Sequence, residues 1–549
     1  SDRFNPVSLG TAVSVCTGLE VLSVSQSWDE DMIKILPGIE KCTRLKSLDL
    51  SANCMGRKAA RILGTILHHL PLLETLNLNN NRLEAGGMLE LAPAISNCKH
   101  LTELSLLGNE LGSEGVRLLS RSLQDCTNLT DLNLFGVGVD NDAATQLACC
   151  LGAMQRLKVL DLGDNIIGNS GVVSLWDSLS RHASIEVLSL YWNRFGKQAM
   201  VHLSYSKLRF SRLENLNLGA NELDDECAEA FVHQLGTSSL KVLSLKDVSI
   251  SEVGFRGLAA GLQNCPSLVS LHLNQNRLDF HSAQELARAL SCMDELQSLE
   301  MRNVRLDSHT LQPLRPWLSA CSSITKLCLD ANQLGAAGAY CVTSALSGCS
   351  QLTELNLGCN RISGNRFSHL AAALPRCMML RTLKLGENSL DNNGAIELAC
   401  SIKHCPFLEV LDLHSCQIRD GGAIKLFETL PACSALTELL LRSNLISCTA
   451  IFTLPEILPS CSSISSLDLS QNVIENDGAT AIGDALAHCH TLTHLDISGN
   501  PLTKVGAEHI LRSSCSNDSR ITRLAFGRVV QQLDQSTLHE LLPAWVSIS

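Results

Sequence analysis

The nine-residue pattern LxxLxLxxN occurs nineteen times in this 549-residue chain, and all but three of the steps between successive copies are 28 residues long. The copies begin at Leu19, Leu45, Leu73, Leu101, Leu129, Leu157, Ile185, Leu213, Leu240, Leu268, Leu296, Ile324, Leu352, Leu380, Leu408, Leu436, Ile464, Leu492 and Ile521. Self-similarity at such a period commits a chain to stacked supersecondary units, because a unit this small cannot close a core of its own. The expectation is one solenoid of about nineteen repeats over 1–549. Residues 1–18 supply the helix of an incomplete first repeat, and 521–549 form a C-terminal cap whose last helix holds Leu538, Leu541 and Trp545.

In the copy from Leu101 to Asn128, the segment Leu104-Ser105-Leu106 has the period of a half-buried strand, so both leucines share one face and Ser105 points away. Apolar residues at Val116, Leu118, Leu119 and Leu123 then recur at spacings of three and four, the mark of an amphipathic helix over 114–124. Ser113, Asn141, Asn169, Asp225, Ser308, Asn392, Asp420 and Asn476 stand just ahead of the equivalent helices, where a short polar side chain accepts from free amides. The ninth position is Asn in thirteen copies. An unpartnered buried amide is costly, so this Asn is expected to bond backbone groups of its own turn and of adjacent repeats.

Strands stack at ~4.8 Å whereas helices need ~8–10 Å, which puts helices on the outside of an arc. With ~10 Å between the layers the bend is about 15 to 25° per repeat. The expected fold class is α/β: a curved horseshoe solenoid with a parallel β-sheet on the concave face and α-helices on the convex face.

The net charge of −12 leaves no basic stripe of the kind that phosphate binding needs, so no nucleic-acid partner is expected. No apolar run approaches the ~18 residues of a membrane span, and no membrane partner is expected. Of the 24 cysteines, twelve fall three residues ahead of a strand copy, while Met154, Met293 and Leu70 take that slot elsewhere. A slot shared by Cys, Met and Leu is an apolar packing position. Reduced core thiols follow, and they point to the cytoplasm. Stacked thiols of neighbouring repeats carry parallel side-chain vectors, so bridging them is expected to distort the backbone.

The chain holds no GxxxxGK[ST] loop, no HExxH and no paired CxxC, and no nucleophile stands with a base and an orienting group. Catalysis, metal and cofactor are therefore not expected. What remains is the strand face, where positions three, five, seven, eight and ten of each copy point to solvent. Repeats five to seven place Phe135, Asp161, Asp164, Tyr191, Trp192 and Arg194 there, on adjoining rungs of a chain with only 4% aromatic residues. Trp, Tyr and Arg beside acids are favoured components of interface hot spots, which makes these six the first candidates for partner contact. The rival reading folds Phe135 and Trp192 over the repeat edges to pack. A second patch, in repeats nine to fourteen, mixes Lys246, Asp247, His272, Arg277, Glu300, Arg302, Arg305, Lys326, Asp330, Glu354, Lys384 and Glu387. Arg302, Arg305, Lys326 and Asp330 are its contact candidates, and a solvated charge ladder is the alternative.

Long repeats with a helix and a Cys ahead of each strand, CxxLxxLxLxxN, resemble the ribonuclease-inhibitor-like leucine-rich repeats over Cys16 to Phe526. The LRR domain of NOD-like (NLR) receptors fits best within that group. The uniform period departs from the inhibitor's alternation of two repeat types, and Leu541-Leu542-Pro543-Ala544-Trp545 stands where the Ran GTPase activator carries an acidic tail. The resemblance implies a cytosolic, non-catalytic recognition domain that binds a protein partner on its concave face, or in an NLR-like parent restrains a switch domain until a ligand competes. The alternatives are an enzyme regulator, such as a ribonuclease inhibitor or GTPase activator, and a scaffold or designed repeat protein.

Overall fold

A computed structural model describes residues 5–180, 182, 184–205, 212–225, 227–228, 239–248, 250–363, 367–514, 520–533 and 547–548. Leu538, Leu541 and Trp545 of the expected final helix lie outside the described residues. Contacts gather into two units, Ser1–His272 and Leu273–Ser549.

Alternation of apolar and polar residues lasts only three residues in each repeat, and so does each strand. In the first unit parallel strands run from Val21–Ser23 to Ser270–His272, each paired with the next in chain order. In the second they run from Ser298–Glu300 to Arg523–Ala525, with Ser547–Ile548 paired beyond. The register sets leucine opposite leucine, as in Leu104↔Leu132 and Leu355↔Leu383. Those leucines are fully or almost fully buried, while positions three and five are mostly half-exposed. This is the leucine-rich solenoid architecture, parallel strands alternating with helices.

Between the strands the apolar spacing of three and four produces the expected helices. The helix read over 114–124 spans Gly112–Leu123, burying Val116, Leu119 and Leu123 completely and Leu118 in part. The polar slot ahead of the helices acts across repeats. Asn141 Oδ1 accepts from the N–H of Gly168 and Gly171 at 2.9 Å, capping the helix Asn169–Leu179 of the following repeat. Asn169 does the same for Gly196 and Ala199, and Asn392 for Arg419 and Gly422. Ser113 departs from the pattern and donates to Asp140, which itself caps Ala143. The slot is a cap, but mainly for the neighbouring repeat.

The ninth-position Asn forms an internal ladder of side-chain amides. Asn165 Nδ2 shares its protons among Leu134 O, Leu162 O and Gly163 O at 2.9 Å, while Oδ1 accepts from the Gly138 and Val139 N–H at 2.9 Å. One amide thus ties two adjacent repeats. Where Val137 replaces Asn, the backbone closes the gap itself: the N–H of Leu111 bonds Asn109 O, and that of Gly112 bonds Val137 O. The cysteine slot is core as read, with eleven of its twelve thiols buried and Cys16 exposed. Burial pushes the Cys126 thiol up to about 12 and Cys98 up to about 11. All described cysteines are free thiols.

Candidate functional site

The turn that ends each strand decides what the sheet face presents. Asp or Asn at position five bonds the position-seven N–H at 2.8–3.1 Å in nine repeats, Asp161 to Gly163 among them. Position eight is left-handed in the first eighteen repeats, with φ between 52° and 71°. For an L-residue that conformation costs roughly 1–2 kcal/mol, and Gly, Asn and Asp meet it most cheaply. Trp192 meets it with a bulky indole at φ 52° that is 58% exposed.

Around Trp192, in the first unit, the strand-end turns enclose a cavity of about 780 Å³. Its floor includes the ladder residues Asn165, Asn193 and Asn221 with Gly136 and Gly138. Its wall carries Ile166, Trp192 and Arg194 with four carboxylates, Glu110, Asp164, Glu222 and Asp247. All seven wall side chains are exposed. None of the five charged groups makes an ion pair with another described residue. Four carboxylates against one guanidinium leave the wall three charges negative.

Of the six candidates in this unit, Asp164, Trp192 and Arg194 line the cavity. Tyr191 buttresses it: its ring meets the Trp192 indole edge-on at 6.3 Å, lies against Gly219, and takes the Lys246 ammonium at 5.8 Å from its centroid. Phe135 is half-buried with its ring over Gly163, where a β-carbon would stand 2.7 Å from Cδ2. Packing over the repeat edge therefore describes Phe135 and Tyr191, whereas Trp192 stays open. Asp161 is committed to its turn through one oxygen. Glu110, Ile166 and Glu222 are the lining residues that the aromatic criterion passes over, although all three sit at position ten. Asp247, grouped by sequence with the second patch, faces this cavity.

The second patch pairs internally. In the second unit Lys326 Nζ lies 2.8 Å from Glu300, Arg302 Nε 3.2 Å from Asp330, and Lys384 Nζ 3.4 Å from Glu354, each across neighbouring strands. The hydrogen bond to Glu300 raises the Lys326 pKa. Burial raises that of Asp330 against the opposing pull of Arg302. Arg305 is exposed, at φ 63°, and joins no pair among the described residues. The charge-ladder alternative describes the paired members of this patch.

A sequence-family model described as Leucine Rich repeat matches residues 69–92, 97–120, 154–175, 348–365, 376–399, 404–427, 460–483 and 488–511. Those segments carry leucine-rich repeats of this family. The leucine-rich-repeat chain is similar to three solved structures. One is a PEPR1–AtPEP1 crystal structure, at 16% identity over 90% of this chain and 84% of that one, TM-score 0.36. The others are a mouse RP105/MD-1 complex (18%, 88% and 87%, TM-score 0.41) and a TLR13–ssRNA13 complex (18%, 84% and 66%, TM-score 0.46). No curated protein sequence matches the leucine-rich-repeat chain. Among its described residues no helix is long and apolar enough to cross a membrane, and no group of three His, Cys, Asp or Glu is placed to hold a metal ion.

Proposed function

We propose that this chain is a non-catalytic protein-recognition module, whose first unit binds a basic segment of a macromolecular partner in the Trp192 cavity, on the face that repeat spacing makes concave. One observation carries the reading: five charged side chains that form no ion pair among the described residues surround an exposed tryptophan that occupies a conformation costly for it. Charges on a folded surface pair where neighbours allow, as the second unit's Lys326, Arg302 and Lys384 do. A guanidinium or ammonium stacked on the Trp192 face gains cation–π attraction, and the four carboxylates supply charge-assisted hydrogen bonds. Arg194 takes a carbonyl or carboxylate of the same segment and so fixes its direction.

Within this proposal the chain works in the cytoplasm, as its buried and unbridged thiols suit. It serves as the sensing and autoinhibitory part of an NLR-type receptor, a placement supported by the 28-residue period and the cysteine slot. The test is a twelve-residue peptide-display selection on the full chain, with calorimetry of the enriched peptides. Arg- or Lys-bearing peptides are expected, with affinity falling ~30-fold or more in Trp192→Gly, equivalent to ~2 kcal/mol. Peptides that bind Trp192→Gly as tightly as the wild type would refute the site.

A further inference from the structure

Seven consecutive repeats stack a slot cysteine, from Cys321 to Cys489. Among the described residues only one neighbouring pair in that run brings its sulfurs into contact: Cys321 Sγ and Cys349 Sγ stand 3.3 Å apart. Both also reach the same acceptor, Leu318 O, at 3.2 Å and 3.3 Å. Pro313 and Pro316 break the repeat's helix into a 3-10 turn, Gln312–Leu314, and a six-residue helix, Arg315–Ala320. Leu318 O lies in the last turn, where carbonyls have no intrahelical donor, and both thiols turn toward it. The two sulfurs differ in access. Cys321 lines a cavity of about 390 Å³ beside Trp317, Pro316 and Met293, whereas Cys349 is fully buried and does not line it. Their contact holds the Cys321 thiol below its ordinary pKa and pushes Cys349 well above.

We propose that Cys321 and Cys349 form a reversible inter-repeat disulfide, with Cys321 as the sulfur that meets the oxidant through its cavity. The oxidant is a peroxide. Cys321 thiolate attacks one oxygen of hydrogen peroxide, the O–O bond breaks, and the departing hydroxide takes up a proton as water, leaving Cys321 as a sulfenic acid. The Cys349 sulfur then attacks the Cys321 sulfur, the S–O bond breaks, and a second water leaves with the thiol proton. Two thiols are oxidised by two electrons and one peroxide is reduced to two waters. Bond formation needs the sulfurs to close by about 1.3 Å to the ordinary ~2.05 Å. At this step of the solenoid the stacked thiols already stand in contact. Its consequence is a covalent tie between the eleventh and twelfth repeats.

The test treats the native chain with a small molar excess of hydrogen peroxide and maps disulfides by mass spectrometry without reduction. A Cys321–Cys349 cross-linked peptide is expected, and reduction with dithiothreitol should remove it. Cys433 and Cys461 occupy the same slot in neighbouring repeats without sulfur contact, and their cross-link is expected at least tenfold lower. In Cys349→Ser, dimedone should trap a sulfenic acid at Cys321. Equal yields of the two cross-links, which need no variant to measure, would overturn the proposal, as would absence of the Cys321–Cys349 peptide while exposed Cys149 and Cys400 are oxidised.

Discussion

Trp192 stands where the backbone favours glycine, so its side chain is retained at a cost to the fold. Trp192→Gly relieves a left-handed conformation worth roughly 1 kcal/mol and removes a mostly exposed indole. Its melting temperature should equal or exceed that of the wild type, and a clear loss of stability in calorimetric scans would make Trp192 a packing residue instead. Asn165 is the opposite case. Asn165→Val strands two buried N–H donors and three carbonyls, and should cost about 3 kcal/mol in urea unfolding. Val137 tolerates the same side chain because its neighbouring turn bonds itself, so a neutral Asn165→Val would show that the ladder is dispensable. His414 adds a pH signature. Burial pulls its pKa down, but Asp412 at 2.7 Å and Glu387 at 3.5 Å outweigh that, and the net shift is upward. A raised folded-state pKa contributes stability that is complete below ~6.5 and lost as pH rises through the folded value. The stability gap between wild type and His414→Gln should therefore be wider near pH 6 than near pH 9; equal gaps would remove charge from the account.

At the scale of elements, the repeat is held by groups that act across its boundary. Asn141 sits at the head of its own helix yet caps the next, whose N-cap position is Gly168 and offers no side chain. Asn141→Ala should cost about 1 kcal/mol, with faster amide exchange at the start of the helix Asn169–Leu179. Faster exchange confined to the helix Asn141–Leu151 would reverse the assignment. Strand phase, helix existence, the Asn ladder and the apolar cysteine slot were all legible in the sequence, because periods of two and of three to four leave no other burial for the leucines. Which repeat a cap serves was not legible, since a 27-residue contact leaves no local trace. Asp161 shows the same limit: its charge suggests a contact, while its first oxygen is spent on Gly163 two residues on.

At the scale of the molecule, each unit repeats one construction, and the contrast lies between the Trp192 cavity and the charged patch of the second unit. The second unit pairs its ladder across strands, and exposed pairs of that kind contribute only about 0–1 kcal/mol each. The cavity charges beside Trp192 form no ion pair among the described residues. Three of the seven wall residues, Asp164, Trp192 and Arg194, were legible because aromatic residues are scarce in this chain, which makes Tyr191 and Trp192 conspicuous. Glu110, Glu222 and Asp247 were not, because joining residues up to 137 positions apart into one wall requires the stacking itself. The most direct measurement is hydrogen–deuterium exchange of the full chain with and without a display-selected basic peptide. The account predicts protection at the strand-end turns around 136–138, 164–166, 192–194 and 220–222. Protection confined to the helices, or to the strands of the second unit, would contradict it.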